Sequence, residues 1–160
     1  MRYTKENPNQ QFFDLLLNKE ILIGYCNRQA YDIPRYKRWF DEWYEKQEPE
    51  TYVVSKIDSD FIRNLDIVIL SASWCGSCRT EISRFYKILD FKEVFPKNLD
   101  IIYVNKQKQV PGLDLTQYQF TRVPTFIFYM ENKEIGRINE RPPDTLEQEI
   151  LEIQLRNGII

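Results

Sequence analysis

The sequence predicts an α/β fold in which a central mixed sheet carries helices on both faces. Three observations predict it. Two continuous β-rich apolar runs, residues 66–72 and 99–104, flank a segment of helical period. Two further strand-like segments follow, joined by the turn-like Glu131-Asn132-Lys133. A last helical pattern closes the chain.

Each element has its own signal. Residues 66–72 read Asp-Ile-Val-Ile-Leu-Ser-Ala, a run whose length fits a central strand buried on both faces. Residues 78–91 place Ile82, Phe85, Ile88 and Leu89 at helical spacing. Strand, helix and strand in that order imply a parallel pair with a right-handed crossover. Residues 113–119 read as a short helix or loop. Residues 125–130 and 134–139 then form a hairpin. Residues 145–156 form the final helix, entered through Pro142 and Pro143 and left at Asn157-Gly158. Earlier in the chain, residues 10–18 read as a short helix, and residues 20–25 as its extension or a connector. Residues 31–47 carry Tyr36, Trp39, Phe40, Trp43 and Tyr44 on one helical face, with Pro34 in the first turn. That aromatic stripe is expected to pack on the core. Residues 51–54 read as a short strand, and residues 58–64 as a helical turn capped by Asp58 or Ser59.

Composition sets the bounds. The chain has 160 residues, 42% of them apolar and 29% charged, enough for a core without disulfide staples or a structural metal. Residues 1–50 are expected to be an N-terminal helical extension packed on the core, and residues 51–160 the main domain. A net charge of −2 gives no basic footprint for nucleic acid. No run approaches the length of a membrane span. The first residues lack the apolar stretch of a secretory signal, so the expected location is the cytoplasm, or the periplasm if a signal has been removed.

Histidine is absent, which removes Cys–His pairs, His-based triads and His-containing zinc sites. Three cysteines remain: Cys26, Cys75 and Cys78. A four-ligand zinc site therefore lacks ligands, and no metal or other cofactor is expected. The chemistry falls to Trp74-Cys75-Gly76-Ser77-Cys78, at the end of a buried strand and the start of a helix. Unpaired N–H groups and the macrodipole stabilise a thiolate at that point. Cys75 is then the exposed nucleophile. Cys78, one turn in, is the resolving thiol, so the redox-active group is the protein's own Cys75–Cys78 pair. Gly76 permits close approach of a partner chain. Cys26 is expected to be buried and inert.

The segment from Val68 to Arg79, with Trp-Cys-Gly-Ser-Cys-Arg after a strand, resembles the active site of the thioredoxin family. Arg122-Val123-Pro124-Thr125-Phe126, with Pro124 46 residues after Cys78, matches the family's second element. The resemblance covers roughly residues 52–156. It implies a thioredoxin-like fold with Pro124 in a cis bond facing the cysteines. It also implies a substrate strand pairing with the Val123 backbone, and a groove formed with Trp74, Gly76 and Ser77. The implied activity is reduction of protein disulfides, with a thiol reductant or reductase as the electron donor. Two other readings stay open: an extracytoplasmic relative serving cytochrome maturation or oxidative folding, and a partner-binding module on the same scaffold.

The sequence also departs from the family. Ser77 stands where thioredoxins usually have proline, and its hydroxyl can donate to a nearby thiolate. Family members that oxidise or isomerise disulfides typically have histidine there, so its absence favours a reductase. The buried aspartate that accepts the resolving thiol's proton in thioredoxins is replaced by Ile69. Glu81 lies far along the helix, which leaves Glu140 as the candidate proton acceptor. Glu140 stands about where the family often has a glycine.

Overall fold

Six strands form one sheet in the order β1-β2-β4-β3-β5-β6 in the computed structural model, which describes residues 2–140 and 143–159. Pro142, read above as part of the entry to the last helix, lies outside the described residues. β3 (Asp66–Ser71) is central, parallel to β4 (Asn98–Tyr103) and antiparallel to β5 (Thr125–Met130). β6 (Lys133–Asn139) returns beside β5. Glu131 and Asn132 both take positive φ in that turn, the geometry whose twist matches a two-residue hairpin. The mixed arrangement of β3, β4, β5 and β6 is the one the sequence predicts.

Alternation along the strands feeds two apolar clusters. Ile67, Ile69, Ile101, Phe126 and Phe128 face one side; Val68, Leu70, Ile102 and Ile127 face the other. The first cluster receives α1 (Pro34–Lys46), α2 (Thr51–Lys56), α3 (Ser59–Arg63), α4 (Gly76–Lys92) and α5 (Leu146–Arg156). The opposite face differs from the expected helical layer. It is covered by Tyr3 and by Val110, Leu115 and Val123 from the β4–β5 connection. The helical structure in that connection is a 3₁₀ turn at Thr116–Tyr118. Pro111-Gly112, with Gly112 at φ +80°, breaks any longer helix there.

The N-terminal segment is corrected most. Residues 10–18, read as a helix, form β1 (Gln10–Asp14) and a turn, and residues 20–25 lie within β2 (Lys19–Cys26). The expected helical extension thus begins as a hairpin whose second strand pairs with β4. Asp14 causes the change. Its buried carboxylate accepts the N–H groups of Leu16 and Leu17, closing a turn, and that of Lys106 across the fold. Leu15 and Leu16, counted toward an apolar helix face, sit exposed in that turn. A 3₁₀ turn (Arg28–Asp32) then leads into α1. Tyr36, Trp39 and Phe40 are buried in α1, and Phe40 stacks on Tyr31 with ring centroids 4.2 Å apart.

Residues 51–54, read as a strand, begin α2. The Glu50 N–H at its start donates to Glu147 Oε2 at 2.6 Å, so a side chain from α5 sets where it begins. Glu147 also takes a two-point contact from Arg84 at 2.8 and 2.7 Å. Arg84 in turn donates to Gln47 Oε1. One buried ion pair therefore ties α4, α5 and the approach to α2 together.

Candidate active site

The reactive motif sits where β3 ends and α4 begins. Cys75 is the N-cap of α4. Its backbone is extended (φ −104°, ψ 124°), and its Sγ accepts the Cys78 N–H at 3.4 Å. A capping side chain normally brings oxygen to that free N–H; here sulfur does so. Ser77 Oγ lies 3.3 Å from the same sulfur. These donors favour a thiolate. The neighbouring Cys78 thiol is the strongest of the influences that lower the Cys75 pKa, and burial opposes it. The result holds the Cys75 thiol down to about 5. When protonated, Cys75 donates to the Val123 carbonyl at 3.8 Å.

Cys78 is only 1% exposed, inside the cluster of Val68, Leu70 and Ile127. Burial pushes its thiol far up, and the neighbouring Cys75 adds to the rise. Both cysteines are free thiols. Two sulfurs one helical turn apart are thus opposite in character.

The other expected site residues gather at the same end of the sheet, and one of them differs from its expected role. The Val123–Pro124 peptide bond is cis, and both residues are buried. Trp74 is anchored by its indole N–H to the Val104 carbonyl at 3.0 Å, with the Lys106 ammonium 4.8 Å from the ring centroid. Gly76 is exposed, and a Cβ there would meet nothing within 4 Å, so packing does not demand a glycine. Glu140 is the one that differs: its N–H donates to the Pro124 carbonyl, which places it at the site, but its carboxylate turns elsewhere. It lies one residue past β6, and its carboxylate, 40% exposed, pairs with Arg122 at 3.3 Å rather than with Cys78. The expectation of Glu140 as proton acceptor is corrected accordingly. Its φ of +48° is the left-handed conformation that glycine adopts without cost, consistent with the residue type it replaces.

Ile69 is fully buried, so a dry side chain fills the place of the missing acid. Sequence reasoning overlooked Ser71, two residues further along β3. Its hydroxyl is buried and has no hydrogen-bond partner. It makes no bond to the neutral Cys78 thiol, yet it lies where it eases formation of the Cys78 thiolate. A polar residue closing an otherwise apolar strand was the available signal. Glu81, on the next turn of α4, has a buried and unpartnered Oε2. Burial raises its carboxyl to about 7. Cys26 is buried and its thiol is pushed up by desolvation. Among the described residues, no group of three or more His, Cys, Asp or Glu side chains is disposed to hold a metal. No helix among them is long and apolar enough to cross a membrane.

Comparison with known proteins places this geometry in context. A model of the thioredoxin family matches residues 47–152. Thioredoxin H2 of Arabidopsis thaliana is 30% identical over 89 residues, which is 55% of this chain and 62% of that protein. The chain therefore spans less than two thirds of that relative's length. Among solved structures, a protein of unknown function from Pseudomonas aeruginosa aligns with a TM-score of 0.52 at 15% identity, covering 76% of this chain and 82% of its own. Thioredoxin 1 of Thermosipho africanus aligns with a TM-score of 0.41 at 20% identity, over 57% of this chain and 92% of its own.

Proposed function

The chain belongs to the thioredoxin family, and from that premise we propose that it is a thiol–disulfide oxidoreductase that reduces protein disulfides, with Cys75 as nucleophile and Cys78 as resolving thiol. One observation carries the reading. Cys75 sulfur caps α4, taking the Cys78 N–H and the Ser77 hydroxyl, while Cys78 waits one turn below in a dry site.

The reaction follows from that asymmetry. At neutral pH Cys75 is a thiolate and attacks one sulfur of a substrate disulfide. The substrate S–S bond breaks, its second sulfur leaves and takes a proton, and a mixed disulfide joins Cys75 to the substrate. Trp74, Gly76, Ser77, Val123 and Pro124 line the approach, with an extended substrate segment pairing along the Val123 backbone. Once Cys75 is bonded to substrate, it carries no negative charge. The part of the Cys78 elevation that comes from Cys75 then disappears. The Ser71 hydroxyl and the Ala72 N–H favour the thiolate that forms. Cys78 loses its proton and attacks Cys75 Sγ, releasing the second substrate thiol. The protein is left with a Cys75–Cys78 disulfide, two electrons poorer. A dithiol reductant or a reductase restores it.

Disulfide reduction with an insulin-type substrate tests the proposal. Cys75→Ser abolishes turnover, and Cys78→Ser accumulates a mixed disulfide visible by mass spectrometry. Unchanged turnover in Cys75→Ser would overturn the reading. A redox titration gives the direction: a potential near about −270 mV marks a reductant, and one near about −120 mV an oxidant.

A further inference from the structure

A cleft of ≈ 340 Å³ lies between the N-terminal segment and the reactive motif. Ser73 and Arg79, on either side of the Cys75–Cys78 turn, form one wall; the start of β2 and the outer face of α1 form the other. Arg35, Arg38 and Glu42 recur at helical spacing along α1 and reach the same opening, joined by Lys19 from β2. Most of this wall lies before residue 47, outside the segment the family model matches.

The cleft has more donors than acceptors. Lys19, Arg35, Arg38 and Arg79 bring four positive charges, against Glu20 and Glu42. Glu42 is already engaged by Lys46 at 2.9 Å. Among the described residues, none of the four cations is in an ion pair. Arg35 and Arg79 donate to the backbone carbonyls of Glu20 and Ser73. The Arg79 guanidinium also lies 5.4 Å from the Trp39 ring centroid, a cation–π contact that holds it beside the motif. Trp39, in the same wall, has a buried indole N–H with no acceptor. A chain of net charge −2 therefore gathers unpaired cations at one opening beside its nucleophile.

We propose that this cleft is a recognition site for the carboxylate side chains of an acidic segment flanking the disulfide of the protein substrate. Guanidinium forks match carboxylates in shape as well as charge. An oligonucleotide is the poorer fit, because it needs an extended basic face, whereas this cleft is short and carries Glu20 and Glu42 among its cations. The identity of the occupant as a disulfide substrate rests on the reductase reading above; the preference for acidic peptide does not.

The test uses the full reduced chain and labelled, cysteine-free peptides followed by fluorescence anisotropy. A Glu-rich peptide binds about ten-fold or more tightly than its Gln counterpart, and the advantage shrinks as salt rises. The double variant Lys19→Glu/Arg38→Glu loses that advantage. Both side chains are exposed, and the milder Lys19→Gln/Arg38→Gln pair reduces it in the same direction. Equal affinity for Glu, Gln and Lys peptides would overturn the proposal. So would variants of intact near-UV circular dichroism that bind as the parent does, or tighter binding of a single-stranded oligonucleotide of equal charge. A second arm compares reduction of Glu-flanked and Gln-flanked disulfide peptides, where kcat/KM follows the same order. Acid-selective binding with neither disulfide reduced leaves the cleft standing and rejects the reductase reading.

Discussion

Cys75 and Cys78 are the same residue type, three positions apart on one helix, and their surroundings drive them in opposite directions. Cys75 lies at the mouth of α4, partly exposed, with an N–H and a hydroxyl turned toward its sulfur. Cys78 lies one turn deeper, against β3 and β5, where little answers a charge except the Ser71 hydroxyl and the Ala72 N–H. The difference teaches that the division we propose between nucleophile and resolving thiol is set by position along the helix and depth in the core. It also gives the order of events in the proposed reaction: the charge that makes Cys75 reactive keeps Cys78 protonated until Cys75 has been consumed.

The largest test of this contrast is the pH dependence of Cys75. Alkylation by iodoacetamide follows the thiolate, so its rate is flat at neutral pH. It falls about ten-fold for each unit below about 5, or roughly a hundred-fold by pH 3. A midpoint near the ordinary thiol value of about 8.5 would erase the asymmetry.

Glu81 extends the comparison one turn further along α4. Its carboxyl is raised to about 7 by burial, so the folded chain holds this proton more tightly than the unfolded one. Stability from this group is therefore greatest below its ordinary value of about 4.5 and declines as pH rises to about 7. Glu81→Gln, which cannot ionise, raises stability by about 1–2 kcal/mol at pH 8 and changes little at pH 4. Thermal melts at both values check it; equal shifts at the two would show that charge is not the cause.

Ser71→Ala addresses the deeper thiol. Losing a hydroxyl that favours the Cys78 thiolate slows resolution of the mixed disulfide about five-fold, roughly one hydrogen bond's worth. Stopped-flow measurement of mixed-disulfide decay reads this directly. The melting temperature holds or rises slightly, because an unpartnered buried hydroxyl is removed.

The smallest effect belongs to Ser77. Removing its hydroxyl with Ser77→Ala raises the Cys75 midpoint by about 0.5–1 unit, measured by the same alkylation profile. No shift would assign the depression to the helix terminus and Cys78 alone.

The two halves of the chain were unequally legible. In the core, apolar runs bounded by turns gave β3, β4 and the β5–β6 hairpin to within a residue or two; strands buried on both faces, such as β3 and β5, leave an unbroken pattern. The N-terminal hairpin misled. Phe12, Phe13, Leu15, Leu16 and Leu17 mimic a helical face, and only the bonds from Asp14 to Leu16, Leu17 and Lys106 turn the chain back on itself. Val53 and Val54 carry β propensity yet lie in α2, where burial and the Glu147 cap outweigh it. In the site, the cysteines, Trp74 and the Val123-Pro124 pair were visible as a motif. Glu140 had the right place in order but faces water, paired with Arg122.

The sequence by itself determined the chemistry available. With no histidine and a Cys-x-x-Cys pair between a buried strand and a helix, sulfur exchange is what these residues can do. It also determined the sheet's core, because burial on both faces must be written into every position of a strand. Only the tertiary structure decided how each sulfur is tuned. The pKa of a thiol depends on which donors reach it and how much water is left around it, and those neighbours come from Ser77, Ser71 and α4 together. The same holds for the basic cleft. Lys19, Arg38 and Arg79 are far apart in sequence, and their charges become one site only when β2, α1 and α4 meet.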